Sequence, residues 1–306
     1  MSEISTFPRV TSGPAANAER ATPPEERAAL GQHPNIVPDN NLRLPDALTI
    51  KHGPAPLLAH FVLAADQAAR RIGVALRVRH DFDALVQVNE HYAARGMWYP
   101  LLDAFNPRRT ELTPESSYWI SGENEDGEIV LTSACRIYDW RGTNLAEQAR
   151  ALWYGRDLGQ PCVVTAEAGQ LITGIAAWGG ASWVRPDFRG KHLSYLVPRI
   201  LKAYACARWP VDWSFCYIGV ENVRRGLTYG HKHLSRGISY PDSPHDEQVV
   251  AYSTPDEFYT DLRDFLETGS VIELIDFESV TVPAGLEHIV TNTSFDGVFH
   301  GNIRRS

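Results

Sequence analysis

The sequence predicts an α+β fold, in which a mixed, mostly antiparallel central sheet is flanked by helices and carries an N-terminal arm and a C-terminal extension. Three observations lead there. Apolar residues recur at helical spacing in some segments and alternate in others, in the order helix, strand, helices, hairpin, strand, helix, strand, short helix, strand. Tyr118-Trp119-Ile120 and the run IVLTSACRIYDW flank the turn pair Asp126-Gly127, a clear hairpin signal. The stretch VRPDFRGKHLS, Val184 to Ser194, lies between a strand-like run and a helix-like one.

Residues 1–50 are rich in Pro, Ala, Asn and Glu, show no sustained apolar period and read as a flexible arm, with one short helix capped by Thr22. Residues 51–266 form the predicted domain, and 267–306 an extension that is strand-like from Val271 to Val282. Within the domain, Leu57, Leu58, Phe61, Val62, Ala65 and Ala69 share a helical face, and Val74, Leu76 and Val78 then alternate as a strand does. Asp81 or Asp83 is placed to cap a helix carrying Leu85, Val88, His91 and Tyr92. MWYPLLDAF reads as a short helix or an aromatic loop, and NLAEQARALWY as a helical insertion after the hairpin. Between Cys162 and Val184 a break falls near Thr165 to Gly169, and Gly179-Gly180 marks a bulge or a close backbone approach. Leu193, Val197, Ile200, Leu201 and Tyr204 stripe a helix that holds Pro198. DWSFCYIGV is a strand, Glu221-Asn222 opens a short helix, and the strand Gln248 to Tyr252 precedes a helix begun by Thr254-Pro-Asp-Glu.

A formal charge of −8 over 306 residues excludes a general polyanion binder, because phosphate-backbone affinity needs a basic field. A local basic cluster can still hold one phosphorylated ligand. No apolar run reaches the length of a membrane span, and MSEISTFPRV lacks the regions of a signal peptide. The expectation is a cytoplasmic protein without nucleic-acid or membrane partners. Cys135, Cys162, Cys206 and Cys216 have no metal-knuckle spacing and are expected to pack as small apolar side chains, and no metal is expected.

VRPDFRGKHLS is built to hold an anion. Amides left unpaired in a first helical turn point at a ligand, the macrodipole favours negative charge, and Arg189 and Lys191 close around it. This stretch resembles the loop of the GNAT superfamily of N-acyltransferases. Val184, Pro186, Asp187, Phe188, Arg189, Gly190, Lys191 and Leu193 fit the family pattern, and in ENVRRGLTYG the residues Asn222 and Tyr229 keep the family spacing. The chain departs from that pattern at His192 and Ser194, where the family places Gly or Ala, and at His233-Leu234, where it places a Gly-aromatic pair.

The resemblance implies an acyl-CoA-dependent N-acyltransferase, with acetyl-CoA or another acyl-CoA as co-substrate and a small-molecule amine as acceptor. It implies that Ser182 and Val184 offer backbone groups to the pantetheine arm, and that Arg189, Gly190, Lys191, His192, Leu193 and Ser194 cradle the pyrophosphate. Asn222 would open the last helix, and Tyr229 would protonate the leaving thiolate or else serve as an interface aromatic. The central stretch IAAWGGAS has no titratable side chain for a general base. Glu221 is the first substitute, and a water relay ending at Glu167 or Asp139 the second. His231 and His233, if extended, fall on one side and suit a base or a metal. Trp98, Tyr99, Trp119, Tyr138, Trp140 and Trp178 either line an apolar acceptor cleft or form core. Two rival readings stay open: a donor loaded on acyl carrier protein, and a non-catalytic ligand-binding module of the same fold. The arm leaves a homodimer open.

Overall fold

The structure, a computed structural model, describes residues 42–154, 162–240 and 248–268. The alternating segments build one nine-stranded sheet. Its strands are β1 (Leu42–Arg43), β2 (Ala75–Arg79), β3 (Ser117–Glu123), β4 (Ile129–Trp140), β5 (Val163–Val164), β6 (Gly174–Val184), β7 (Trp213–Gly219), β8 (His233–Ser239) and β9 (Gln248–Ser253). They lie in the order β1-β2-β3-β4-β6-β7-β9-β8-β5. Every neighbouring pair is antiparallel except β6 and β7, so the mixed, mostly antiparallel sheet expected from the sequence is present.

The helices are α1 (Leu44–Ala47), α2 (Ala55–Arg71), α3 (Phe82–Ala93), α4 (Leu145–Tyr154), α5 (Ala168–Leu171), α6 (Leu193–Arg208), α7 (Val220–Arg224) and α8 (Pro255–Glu267). Asp81 caps α3 by accepting from the Ala84 amide at 3.2 Å, and Thr254 with Glu257 forms a full capping box on α8. Pro198 sits in the second turn of α6, where the helix continues unbroken. Helices α2, α6 and α8 bury their apolar stripes on one face of the sheet, against Leu76, Tyr118, Ile120, Cys135 and Ala177. The alternate residues of the same strands supply aromatic side chains to the other face. There Phe105 stacks on Trp178 and Tyr92 packs on Trp183. The four cysteines are free, three buried and Cys162 half-buried.

Two strands escape the sequence pattern. β1 falls within the stretch read as an arm, pairs with β2, and leads directly into the fully buried Leu44. β8, HLSRGIS, lacks alternation because most of its residues are only half-buried and its register shifts between Arg236 and Ile238. Gly237 permits that shift: its φ is +114°, and a Cβ there would lie 2.2 Å from Thr165 Oγ1. The arm up to residue 41, the short helix after Thr22 and the extension beyond 268 lie outside the described residues.

One irregularity organises the centre of the sheet. β6 and β7 pair only from Ala176–Gly179 against Trp213–Cys216, yet β6 runs on to Val184 and β7 to Gly219. The two strands therefore diverge beyond Gly179. β6 keeps β4 as its partner through a bulge, in which Ser133 opposes both Ala181 and Ser182. Ala181 adopts φ +48°, a conformation unusual for a residue with a Cβ. It is held there by Thr132 Oγ1 donating to its carbonyl at 2.9 Å, while the Ser133 and Ser182 hydroxyls bond at 2.8 Å. Gly179-Gly180, read from the sequence as a bulge or close approach, is the close approach, and the bulge follows it at Ala181–Ser182. A Cβ on Gly180 would sit 2.5 Å from Phe105 Cε2, a ring that is itself fully buried. Gly180→Ala should therefore cost about 1–3 kcal/mol through overpacking, read as a lower denaturant midpoint at unchanged m-value. An unchanged midpoint would show that the contact is slack.

Candidate active site

From the divergence, β6 leads through residues 185–192 into α6. Arg185 anchors this passage. It is 3% exposed, makes a two-bond pair with Asp187 at 2.7 and 2.8 Å, reaches Glu128 at 2.8 Å, and lies over the Phe188 ring. Burial disfavours its charge, but Asp187 and Glu128 outweigh that and push its pKa up. The Asp187 and Phe188 of the motif thus shape the loop rather than face a ligand. Lys191 Nζ lies 4.3 Å from the centre of the same Phe188 ring, and Arg189 Nε donates to the Val184 carbonyl at 3.0 Å. Arg189, Gly190 and Lys191 are exposed.

Gly190 and His192 both have positive φ, +78° and +54°. Tyr195 and Leu196 N–H donate back to the His192 carbonyl, whereas the amides of Lys191, His192, Leu193 and Ser194 find no backbone acceptor among the described residues. The predicted cradle residues are thus gathered at the start of α6, with Ser194 half-buried and Leu193 buried as the helix's first anchor. Burial lowers the His192 pKa, so the ring contributes a neutral imidazole at pH 7 rather than a cation. Ser182 is exposed at the bulge and Val184 half-buried against the core.

Tyr229 follows α7 in a tight turn, at φ +53°, and packs against a cluster that contains Cys216, Ile218 and Val223. Burial pushes its phenol up to about 12, with Cys216 and Tyr195 adding to the shift. It is protonated at neutral pH. Its turn is held from α6: Lys202 Nζ donates to the carbonyls of Tyr229 at 2.9 Å and Gly230 at 2.6 Å, and lies 4.9 Å from the Phe258 ring centre. Gly230 also has positive φ, and a Cβ there would touch Arg199, which is itself paired bidentately with Asp261. Asn222 accepts the Leu227 amide at its carbonyl, shaping the chain between α7 and Tyr229.

The candidate bases are placed elsewhere. Glu221 is 63% exposed and paired with Arg224 at 2.5 Å. Asp139 is exposed and held down to about 2 by hydrogen bonds from Arg141, and Glu167 is exposed. The two histidines have different surroundings. His231 is buried, with Nδ1 unpartnered and its pKa driven well down by burial and then by Lys202 and Arg199. His233 meets Glu257 at 2.6 Å. No metal-binding group of three or more His, Cys, Asp or Glu exists among the described residues.

Of the aromatic residues, Trp119, Trp140 and Trp178 are buried, Tyr138 and Trp98 half-buried, and Tyr99 exposed. Tyr138, Trp140, Trp178 and Phe105 form one stacked wall, whereas Trp98 stacks on Trp183. Sequence reasoning passed over Arg136, Arg185 and Lys202. The available signal for Lys202 was a lone cation in the apolar run ILKAYACA.

Lys202 gives the site a measurable signature. Burial lowers its pKa to about 8, against about 10.4 for a free lysine. Between those values the unfolded chain binds the proton and the folded one does not, so stability rises with pH through this window. The wild type should gain on the order of 2–3 kcal/mol over Lys202→Met between pH 7 and 10. Parallel pH profiles of the two proteins in denaturant titrations would refute the shifted lysine.

No family model and no curated protein matches the chain. Among solved structures it is similar to an uncharacterised protein from Bacillus halodurans, at 14% identity, covering 64% of this chain and 93% of that one, with a TM-score of 0.38. It is also similar to an aminoglycoside acetyltransferase in complex with coenzyme A and kanamycin, at 16% identity, 61% and 98% coverage and TM-score 0.37. A third is an N-acyl amino acid synthase from uncultured soil microbes, at 16% identity, 64% and 87% coverage and TM-score 0.34. With β6 and β7 parallel and diverging, a bulge on β6, and an Arg-Gly-Lys loop opening the helix between them, the chain has a GNAT-like fold.

Proposed function

We propose that this protein is an acyltransferase that takes an acyl group from a coenzyme A thioester and passes it to the amine of a small molecule by direct attack. The observation that carries this reading is the divergence of β6 from β7, followed by a loop whose amides at residues 191–194 have no backbone acceptor among the described residues. An amide-bearing pantetheine arm can add to the free edge of β6 near Ser182 and Val184 as a short strand would, which satisfies backbone groups that have lost β7. The pyrophosphate then meets the Arg189–Ser194 loop at the positive end of α6. The Tyr229 phenol, kept protonated by burial, supplies the proton that the thiolate needs as it leaves. Asn222 and Lys202 set the turn that carries it.

The chemistry asks for a neutral amine, and the described residues offer no buried carboxylate in the divergence to make one. Glu221, solvent-exposed and paired with Arg224, serves this reading as a proton acceptor through water. A second reading has its own observation. His192 occupies a position in the cradle where a side chain reduces room for a pyrophosphate, which favours a donor carrying one phosphate, such as the prosthetic arm of an acyl carrier protein.

Coenzyme A should raise the melting temperature of the protein, by an amount equivalent to about 2.7 kcal/mol at a concentration 100-fold above its Kd. No shift at millimolar coenzyme A, together with transfer from a loaded carrier protein, would move the donor to the second reading. Tyr229→Phe should lower kcat about 100-fold while leaving coenzyme A stabilisation intact. Unchanged kcat would remove Tyr229 from the chemistry, and a wild type that releases no thiol with any amine would reduce the chain to a binding module.

A further inference from the structure

The edge that β6 presents to the divergence is not bare at its end. In an antiparallel ladder, successive residues alternate between bonding across the pair and facing the other way. The Arg185 amide donates to the Val130 carbonyl at 2.8 Å, so Val184, one residue earlier and opposite Leu131 of β4, turns its amide and carbonyl to the side that β7 has left. That carbonyl is occupied. Arg189 Nε donates to it at 3.0 Å, and among the described residues the Arg189 side chain makes no other hydrogen bond and no ion pair.

The return of residue 189 onto residue 184 is built into the loop. The Phe188 amide donates to the Arg185 carbonyl and the Arg189 amide to the Pro186 carbonyl, a tight turn that doubles the chain back on β6. The buried Arg185, pinned by Asp187 and Glu128, holds that turn from inside. Gly190 at φ +78° then sends the chain on toward α6. Lys191, the neighbouring cation, rests on the Phe188 ring instead. Arg189 therefore stands between the two halves of the proposed donor site: the edge where an amide-bearing arm pairs, and the loop where its phosphate lies. A guanidinium partly withdrawn from water and met by one neutral carbonyl is short of negative charge.

We infer that Arg189 guards the open edge of β6 and so selects the donor: thioesters whose pantetheine arm carries a phosphate are admitted, and thioesters without one are disfavoured. An arm that pairs with β6 must offer an amide N–H to the Val184 carbonyl, and there it competes with a charge-assisted donor already in place. A ligand without an anion has nothing to offer the displaced guanidinium, which loses a bond and gains none. A phosphate replaces one neutral acceptor with charged ones, so the same displacement becomes favourable. Coenzyme A and the arm of a carrier protein share that phosphate. The inference rests on the acyltransferase reading, to which it adds the donors refused.

The test is calorimetric binding of coenzyme A, phosphopantetheine and pantetheine to the full chain and to Arg189→Met, which keeps an apolar stem and loses every side-chain donor. In the variant pantetheine should bind about fivefold more tightly than in the wild type, while coenzyme A and phosphopantetheine bind about tenfold more weakly. A merely structural role for Arg189 would move all three probes the same way. The inference is overturned if pantetheine gains nothing in the variant, or if all three probes weaken together. A second measurement reads the contact directly. The Arg189 Nε–H resonance, assigned by its absence from Arg189→Met, should be protected from exchange in the ligand-free protein and should shift when coenzyme A is added. Rapid exchange in the free protein, or a resonance unmoved by bound coenzyme A, overturns the inference alone. Absence of binding by coenzyme A and phosphopantetheine alike, with the Nε–H protected, sinks the acyltransferase reading instead.

Discussion

The structure depends on β6 losing β7 after Gly179. A strand in mid-sheet normally has every amide and carbonyl satisfied on both sides, and giving up one side is costly unless something else satisfies those groups. Here the bulge at Ala181–Ser182 turns β6 while the β4 ladder holds its other edge, and Thr132 and Ser133 brace the distorted backbone through their hydroxyls. In the acyltransferase reading that edge is where an extended, amide-containing ligand would pair. Gly179 and Gly180 allow it because Leu201 packs close on one face of the sheet and Phe105 on the other.

Helix α6 joins the two ends of this vacancy. Its first turn presents the unpaired amides, and Lys202, about two and a half turns along, holds the carbonyls of the Tyr229 turn. A shift of the helix would therefore move the Arg189–Ser194 loop and the Tyr229 turn together. The buried Lys202 is an expensive way to fix a turn, since its desolvation opposes its charge. Two backbone carbonyls and the Phe258 ring compensate in part.

Much of this was legible in the sequence, for identifiable reasons. The hairpin about Asp126-Gly127, the α3 cap at Asp81 and the α8 capping box are local, and local rules found them. The Arg-Gly-Lys loop was readable as the entry to a helix because a glycine at positive φ precedes the first turn of α6. β8 was hidden because an irregular outer strand with half-buried residues has no clean alternation. The pairing of Arg136 with Trp178 was hidden for a deeper reason. They are 42 residues apart, and only the register of β4 on β6 makes them neighbours. The same holds for Lys202, whose partners come from the turn after α7. Glu221, singled out for its place after β7, has a side chain that leaves toward solvent and pairs with Arg224, a setting that the sequence does not disclose.

The charges around the divergence also bear on the missing base. The chain is acidic overall, yet three cations lie around this region: Arg185 in the loop, Lys202 under the Tyr229 turn and Arg136 across the sheet. Only Arg185 is matched by carboxylates in direct contact. The positive end of α6 adds to the same field. A positive environment favours the neutral form of an incoming amine, because a like charge nearby disfavours ammonium. In the acyltransferase reading it would also stabilise the oxyanion and the thiolate that form as the amine attacks. In the acyltransferase reading such a field would let the acceptor shed its proton to water, with Glu221 as the acceptor beyond it, without a titratable side chain on the stretch IAAWGGAS.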